Sequence, residues 1–160
     1  MAWESAFWES QLPSTRKAFF RISFTLGNDG GPLHMLAKIT RCFLGGTISH
    51  GRQYISWIHI DDLNQMFLEG LRRDDIQGLY NATSPVAVPN AIFMKALRKA
   101  LHRPWCPPAP AFAIKLGTWI MGTEAELPLL GRRGVPKRLL EQGFEFKHVD
   151  LDESLRSLYA

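Results

Sequence analysis

The chain has 160 residues, 46% of them hydrophobic and 21% charged, with a formal net charge of +4. That length suits about one domain, and the balance is that of an ordinary globular protein, which excludes a disordered or fibrous chain. No apolar run approaches the roughly 20 residues that span a bilayer, so no membrane association is expected.

The basic residues are scattered (Arg16-Lys17, Arg72-Arg73, Arg132-Arg133, Lys137-Arg138), with acids close to several of them. A nucleic-acid surface would concentrate them in a stripe with stacking groups between, so no nucleic-acid partner is expected. The start, MAWESAFWES, has acids and no basic region, unlike a secretory leader; a cytoplasmic location follows as the expectation. Cys42 and Cys106 lack ligand spacing and read as free, buried thiols of a reducing compartment. With the five histidines also dispersed, no metal is expected.

In chain order, AFFRISFTL (18–26) is β-branched and aromatic and ends at Gly27-Asn28-Asp29-Gly30-Gly31, which predicts a buried strand and a turn. From Pro32, helical spacing of Leu33, Leu36, Ala37, Ile39, Thr40 and Phe43 predicts a helix stopped by Gly45-Gly46. GRQYISWIHIDDL (51–63) reads as a strand running into a helix. Tyr54, Ser56, Ile58 and Ile60 share one face, and Ile55, Trp57 and His59 the other. Asp61 or Asp62 suits the cap of the next helix, whose apolar stripe is Leu63, Met66, Phe67 and Leu71.

GLYNAT (78–83) is a short strand closed by Ser84-Pro85. Asn90 is expected to cap a helix burying Ile92, Phe93, Ala96, Leu97 and Leu101. The proline-rich RPWCPPAP (103–110) is a stiff connector. Beyond it the pattern predicts helices near 111–121 and 123–130, a helix from Pro136 to Gly143, a short strand FEFKH and a terminal helix at 151–159. In the first of these, Phe112, Trp119 and Met121 read as core packing, with a lid over substrate as the second reading. Three strands, each after the first preceded by a helix, are the tail of a βαβ series, and such a series needs neighbours on each side.

Several of these tracts carry a resemblance: Trp8-Glu9, RISFTLGNDGG (21–31), LGGTISHGRQYISWIHIDDL (44–63), GLYNATSP (78–85) and VPKRLLEQGFEF (135–146). Together they resemble the extended short-chain dehydrogenase/reductase superfamily, in its nucleotide-sugar epimerase-like (SulA-like) branch with a small C-terminal domain of unknown function. The tract with Gln53, Trp57-Ile58-His59 and Asp62 is specific to the branch, while Asn81 and the arginine-bearing strand are superfamily-wide. The likeness runs from about residue 8 to the end and covers only the C-terminal half of such proteins.

The fold this implies is α/β: the C-terminal part of a Rossmann-type parallel sheet (residues 1–103, with substrate-side loops) plus a small, mostly helical C-terminal domain (104–160). In the whole family protein a Gly-rich turn grips NADP or NAD, and a Tyr-x-x-x-Lys pair moves a proton during hydride transfer. Neither motif is in this chain. Ile58 and Ser84 stand four residues after Tyr54 and Tyr80, Tyr159 has no such successor, and Gly45-Gly46…Gly51 follows a helix and precedes a strand. Residues 1–17 are too short for a βαβ unit, which needs about 30 residues. No catalytic residue is therefore assigned, and no cofactor is expected on the isolated chain.

The resemblance makes Ser23 and Thr25 cofactor contacts beside the nicotinamide, although the family often has glycine where Ser23 stands. It makes Arg21, Arg52, Gln53, Trp57 and His59 substrate-side residues. Each has a plainer reading. Arg21 either reaches the cleft, where a guanidinium needs a partner, or points outward from an edge strand. Arg52 and Gln53 either recognise a diphosphate or sugar or belong to a solvated turn. Trp57 and His59 either line a pocket or sit in the core with satisfied N–H groups. Asn81 is expected to tie its strand to a neighbouring loop. The partner expected is a small-molecule substrate in the intact protein; the alternative is a non-catalytic module that binds a protein, or a second copy, through an exposed sheet edge.

Overall fold

The computed structural model describes residues 2–10, 14–107, 131 and 133–159. Helix α1 (Ala2–Glu9) leads into strands β1 (Ala18–Ile22) and β2 (Phe24–Leu26), then helix α2 (Gly31–Arg41). Strands β3 (Tyr54–Ile55) and β4 (Trp57–His59) run into α3 (Ile60–Arg72). Strand β5 (Gly78–Ala82), the short β6 (Val88–Pro89) and α4 (Asn90–Ala100) follow, and after the connector come α5 (Lys137–Glu141) and α6 (Leu151–Tyr159).

The predicted strand 18–26 is in fact shared between two neighbours. Its first half, β1, pairs in parallel with β5 from Ala18↔Gly78 to Ile22↔Ala82. Its second half, β2, pairs in parallel with β4 from Phe24↔Trp57 to Leu26↔His59. The change falls at Ser23. Its N–H still donates to Ala82 O at 3.0 Å, whereas the N–H of Phe24 donates to Ser56 O at 3.1 Å. On β4 the next carbonyl, Trp57 O, accepts from Ser84 N at 2.6 Å. Successive carbonyls of a strand point to opposite edges, so β4 is wedged into the fork where the two longer strands part. β3 turns away and pairs antiparallel with β6.

The wedge explains the layering. Side chains alternate across a strand, so Trp57 enters one core with Leu26, Leu33, Phe93, Leu97 and Leu155. Ile58 enters the other with Met66, Tyr80, Leu139 and Phe144. α2, α4 and α6 cover the first core, and α3 and α5 the second. On β1, Phe20 meets Phe67 and Tyr80, while Phe19 meets Phe7 of α1 on the opposite face. The outer edge of β5 is closed by Arg138, which donates to Leu79 O (2.8 Å) and Gln77 O (2.9 Å) and stacks over Tyr80. The outer edge of β1 has no strand partner among the described residues.

Several expectations need correction. Neither Asp61 nor Asp62 caps α3: the cap is His59, whose Nδ1 accepts from Asp61 N at 3.2 Å. Asn90 does not cap α4 with its side chain; its Oδ1 accepts from Ile48 N at 2.8 Å, so it holds the 48–53 loop instead. Met94 and Ala100 are buried on α4 where Ile92 was expected, and Ile92 is exposed. Phe67 and Leu71 on α3 are exposed, leaving Leu63 and Met66 as its core stripe. FEFKH forms no strand; Phe144 anchors it in the second core and Asp62 holds its backbone. Cys42 is exposed, and Cys106 alone is a buried thiol.

Pro136 flanks a helix as expected, Gly143 follows its end, and the terminal helix stands at 151–159. The expected helices near 111–121 and 123–130, with Phe112, Trp119 and Met121, lie outside the described residues. Among the described residues no helix is long and apolar enough to cross a membrane.

Candidate functional site

In parallel sheets, ligands gather beyond the carboxyl ends of the strands, because there the chain leaves through loops and helices begin. Here β2 leaves into Gly27–Gly31 and β4 runs directly into α3. Between these exits lies an open cavity of about 200 Å³, lined by Thr25, Ile60 and the 27–32 loop. Glycine is required in this loop at Gly31, whose φ of +71° is one that side-chain-bearing residues rarely adopt. The N-cap of α2 is Gly30, which has no side chain to satisfy the first-turn amides, and Pro32 opens the helix. Those amides, at the positive end of the dipole, receive no side-chain cap. The loop is anchored from outside: Asn28 donates through Nδ2 to Leu158 O of α6 at 3.1 Å, and Asn28 O bonds His34 Nδ1 at 2.9 Å.

A separate patch, before the start of β4, is polar and cationic. Arg133 stacks over the Tyr54 ring at 5.4 Å. Gly134 N donates to Ser56 Oγ at 2.8 Å, and Asn81 donates through Nδ2 to Val135 O at 3.3 Å. The Asn81 contact is the strand-to-loop tie expected of it. A Cβ on Gly131 would come within 2.6 Å of Tyr54 N, so Gly131 lies directly on β3. Arg52 is exposed beside it, its N–H donating to His50 Nδ1 at 3.0 Å.

Of the two expected cofactor contacts, Thr25 lines the cavity. Ser23 turns its hydroxyl onto Ala82 O at 3.0 Å, bracing the strand fork. The expected substrate residues separate. Arg21 is outward and half-exposed, paired with Glu4 of α1 at 2.7 Å. Arg52 stays in the exposed patch before β4. Trp57 has no accessible surface and packs in the first core, so it cannot touch a ligand in this arrangement. Gln53 is buried and donates through Nε2 to Ile48 O at 2.9 Å, shaping the loop rather than facing the opening. His59, 3% exposed, is the cap of α3 and likewise faces inward.

Sequence reading missed the partners of this joint. Asp62, 1% exposed, accepts from Lys147 N (2.9 Å) and His148 N (3.1 Å). The His148 ring stacks on His59 with centroids 3.6 Å apart. Burial holds the His59 imidazole below its ordinary value of 6.5; the nearby His148 pushes the same way, against the carboxylates of Asp61 and Asp62. A histidine at a strand end followed by two acids was the available signal. Its partner is nearly ninety residues away in sequence and carries no pattern of its own.

A domain of unknown function, DUF1731, matches residues 109–158. The chain is 37% identical over 143 residues to the Arabidopsis thaliana chloroplastic homologue of epimerase family protein SDR39U1, covering 89% of this chain and 40% of that protein. It is 36% identical over 162 residues to Epimerase family protein SDR39U1 of Mus musculus, covering 99% and 53%. The crystal structure of human epimerase family protein SDR39U1 (isoform 2) with NADPH superposes with a TM-score of 0.87 at 29% identity, over 98% of this chain and 52% of that one. The chain thus spans about half the length of the relatives it matches. With the forked parallel sheet and helices on both faces, these likenesses support an extended short-chain dehydrogenase/reductase, epimerase-like family for the chain.

Proposed function

We propose that the chain supplies the substrate-side wall of a cleft in an NAD(P)-dependent epimerase-like oxidoreductase acting on a nucleotide-sugar-like or small carbonyl substrate. The observation that carries this reading is the cavity at the carboxyl ends of β2 and β4, with Thr25 and the start of α2, which has no side-chain cap, on one side. Thr25 and the 27–31 backbone suit the carbonyl or hydroxyl end of substrate beside a nicotinamide. Arg52 and Arg133, in the exposed patch before β4, suit an anionic group, since a guanidinium forks onto phosphate oxygens. Bound NAD(P) would supply the hydride chemistry. These residues would position the substrate, and the Gly-rich phosphate grip, absent from these 160 residues, would come from a preceding βαβ unit. Calorimetric titration tests this. The 160 residues alone are expected to give no NADPH heat, and the same residues joined to the N-terminal half of the mouse relative are expected to bind it. Micromolar NADPH binding by the chain alone overturns the reading.

The edge of β1 that has no strand partner among the described residues favours a second reading, a module that docks a separate polypeptide by strand addition. Light scattering behind size-exclusion chromatography separates the two. A stable heteromer, or a dimer that completes the sheet, supports docking; a soluble monomer counts against it.

A further inference from the structure

Outside the cavity, a cluster of titratable side chains joins α3 to the 144–150 segment. His59 Nδ1 accepts from Asp61 N, so its ring is neutral with the proton on Nε2. That nitrogen lies 3.4 Å from Ser157 Oγ, whose own hydroxyl donates to Ser154 O at 2.8 Å. His148 Nε2 lies 3.3 Å from Asp61 Oδ2, and the two imidazoles are nearly parallel, 21° apart. His59 Nδ1, Asp61 and His148 bring their donor atoms within 4.8 Å of one another. The rings nevertheless lie face to face, so one metal ion cannot occupy both ring planes, and the Nδ1 lone pair is already used by the helix cap.

We propose that the stacked His59–His148 pair, with Asp61 beside it, is an acid-sensitive latch. It holds residues 144–159 on the β4–α3 joint at neutral pH and releases them when His59 gains a second proton. A proton on Nδ1 removes the acceptor that caps α3 and sets N–H against N–H. Asp61 Oδ2, 3.5 Å from Nδ1, could receive it, but that oxygen already serves His148. With both rings charged, two cations would face each other at 3.6 Å in a site where His59 has almost no solvent. The facing groups are Asp61 and Asp62 of α3, His148 of the 144–150 segment and uncharged Ser157 of α6. The two carboxylates favour the proton, and burial and His148 oppose it more strongly. Release would also free the anchor of Asn28 on Leu158.

The sign follows from linkage. The unfolded or detached ring takes its proton first, near 6.5, so the latch is at full strength above that pH and weakens as pH falls toward the lowered folded value. One proton gives at most about a tenfold change in the opening equilibrium per pH unit. The test is hydrogen exchange of the full chain between about pH 7.5 and 5, corrected for intrinsic rates. Amides of 147–159 are expected to lose protection by up to that factor per unit below 6.5, while those of α4 hold theirs. His59→Asn keeps a capping oxygen without a titrating ring and is expected to flatten the response. His148→Phe keeps the stack without the charge and is expected to reduce it. Unchanged protection of 147–159 in acid overturns the latch. So does an equal loss throughout α4, or an undiminished acid response in either variant that folds.

Discussion

Replacing Asp62 by alanine isolates what attaches the C-terminal segment. The carboxylate is 1% exposed, and its two oxygens receive the N–H groups of Lys147 and His148 at 2.9 and 3.1 Å. Bonds to an ionised acceptor are worth roughly 1.5–3 kcal/mol each. Lys147 is exposed and His148 half-buried, so water can take over part of what is lost; a net cost of about 2–4 kcal/mol remains. For a domain of this size each kcal/mol moves Tm by about 2–4 °C, which puts the shift at roughly 4–16 °C. Circular dichroism melting at pH 7.5 measures it. Asp61→Ala is the control: that carboxylate is 60% exposed, and its loss is expected to cost under about 1 kcal/mol. If Asp62→Ala melts within about 2 °C of the parent, or if the control costs as much, the assignment of the two bonds as the attachment is wrong.

Trp57→Ala is expected to cost about 3–5 kcal/mol in urea unfolding, the usual range for emptying a core aromatic site; a stable variant that loses only ligand affinity would restore Trp57 as a binding residue. Gly51→Ala forces a side chain onto a φ of +69° and to within 2.4 Å of Thr47 Cγ2, so a loss of more than about 1 kcal/mol is expected; an unchanged urea midpoint would contradict this. Arg52→Ala should leave Tm unchanged while weakening sugar-nucleotide binding by the chain joined to the N-terminal half of the mouse relative, as read by calorimetry; unaltered affinity would remove Arg52 from the site. Burial raises the Tyr159 phenol above 10 against the pull of Arg41, so stability should hold up to about pH 10 and decline above it as the unfolded chain ionises first. Tyr159→Phe should remove that alkaline decline, which urea midpoints on either side of pH 10 would show.

What could be read from the sequence was whatever depends on neighbours along the chain. Strand alternation put Trp57 and Ile58 on opposite faces, proline marked the starts of α2 and α5, and helical spacing gave α6, whereas Gly45-Gly46 did not mark the end of α2, which stops at Arg41. The superfamily was legible for the same reason, since its tracts are local strings. Where each polar group found its partner was not legible. Asp62 stood where a cap belongs, yet its carboxylate reached a segment more than eighty residues on, and His59 capped the helix in its place. The split of 18–26 at Ser23 depended on β4 entering the fork, and that is a matter of packing between distant strands. Gln53 and Trp57 had chemistry suited to an opening, but the first core and the 48–53 loop had closed over them. Local periodicity is written in consecutive residues; burial and pairing are decided only when distant parts of the chain compete for the same space and the same hydrogen bonds.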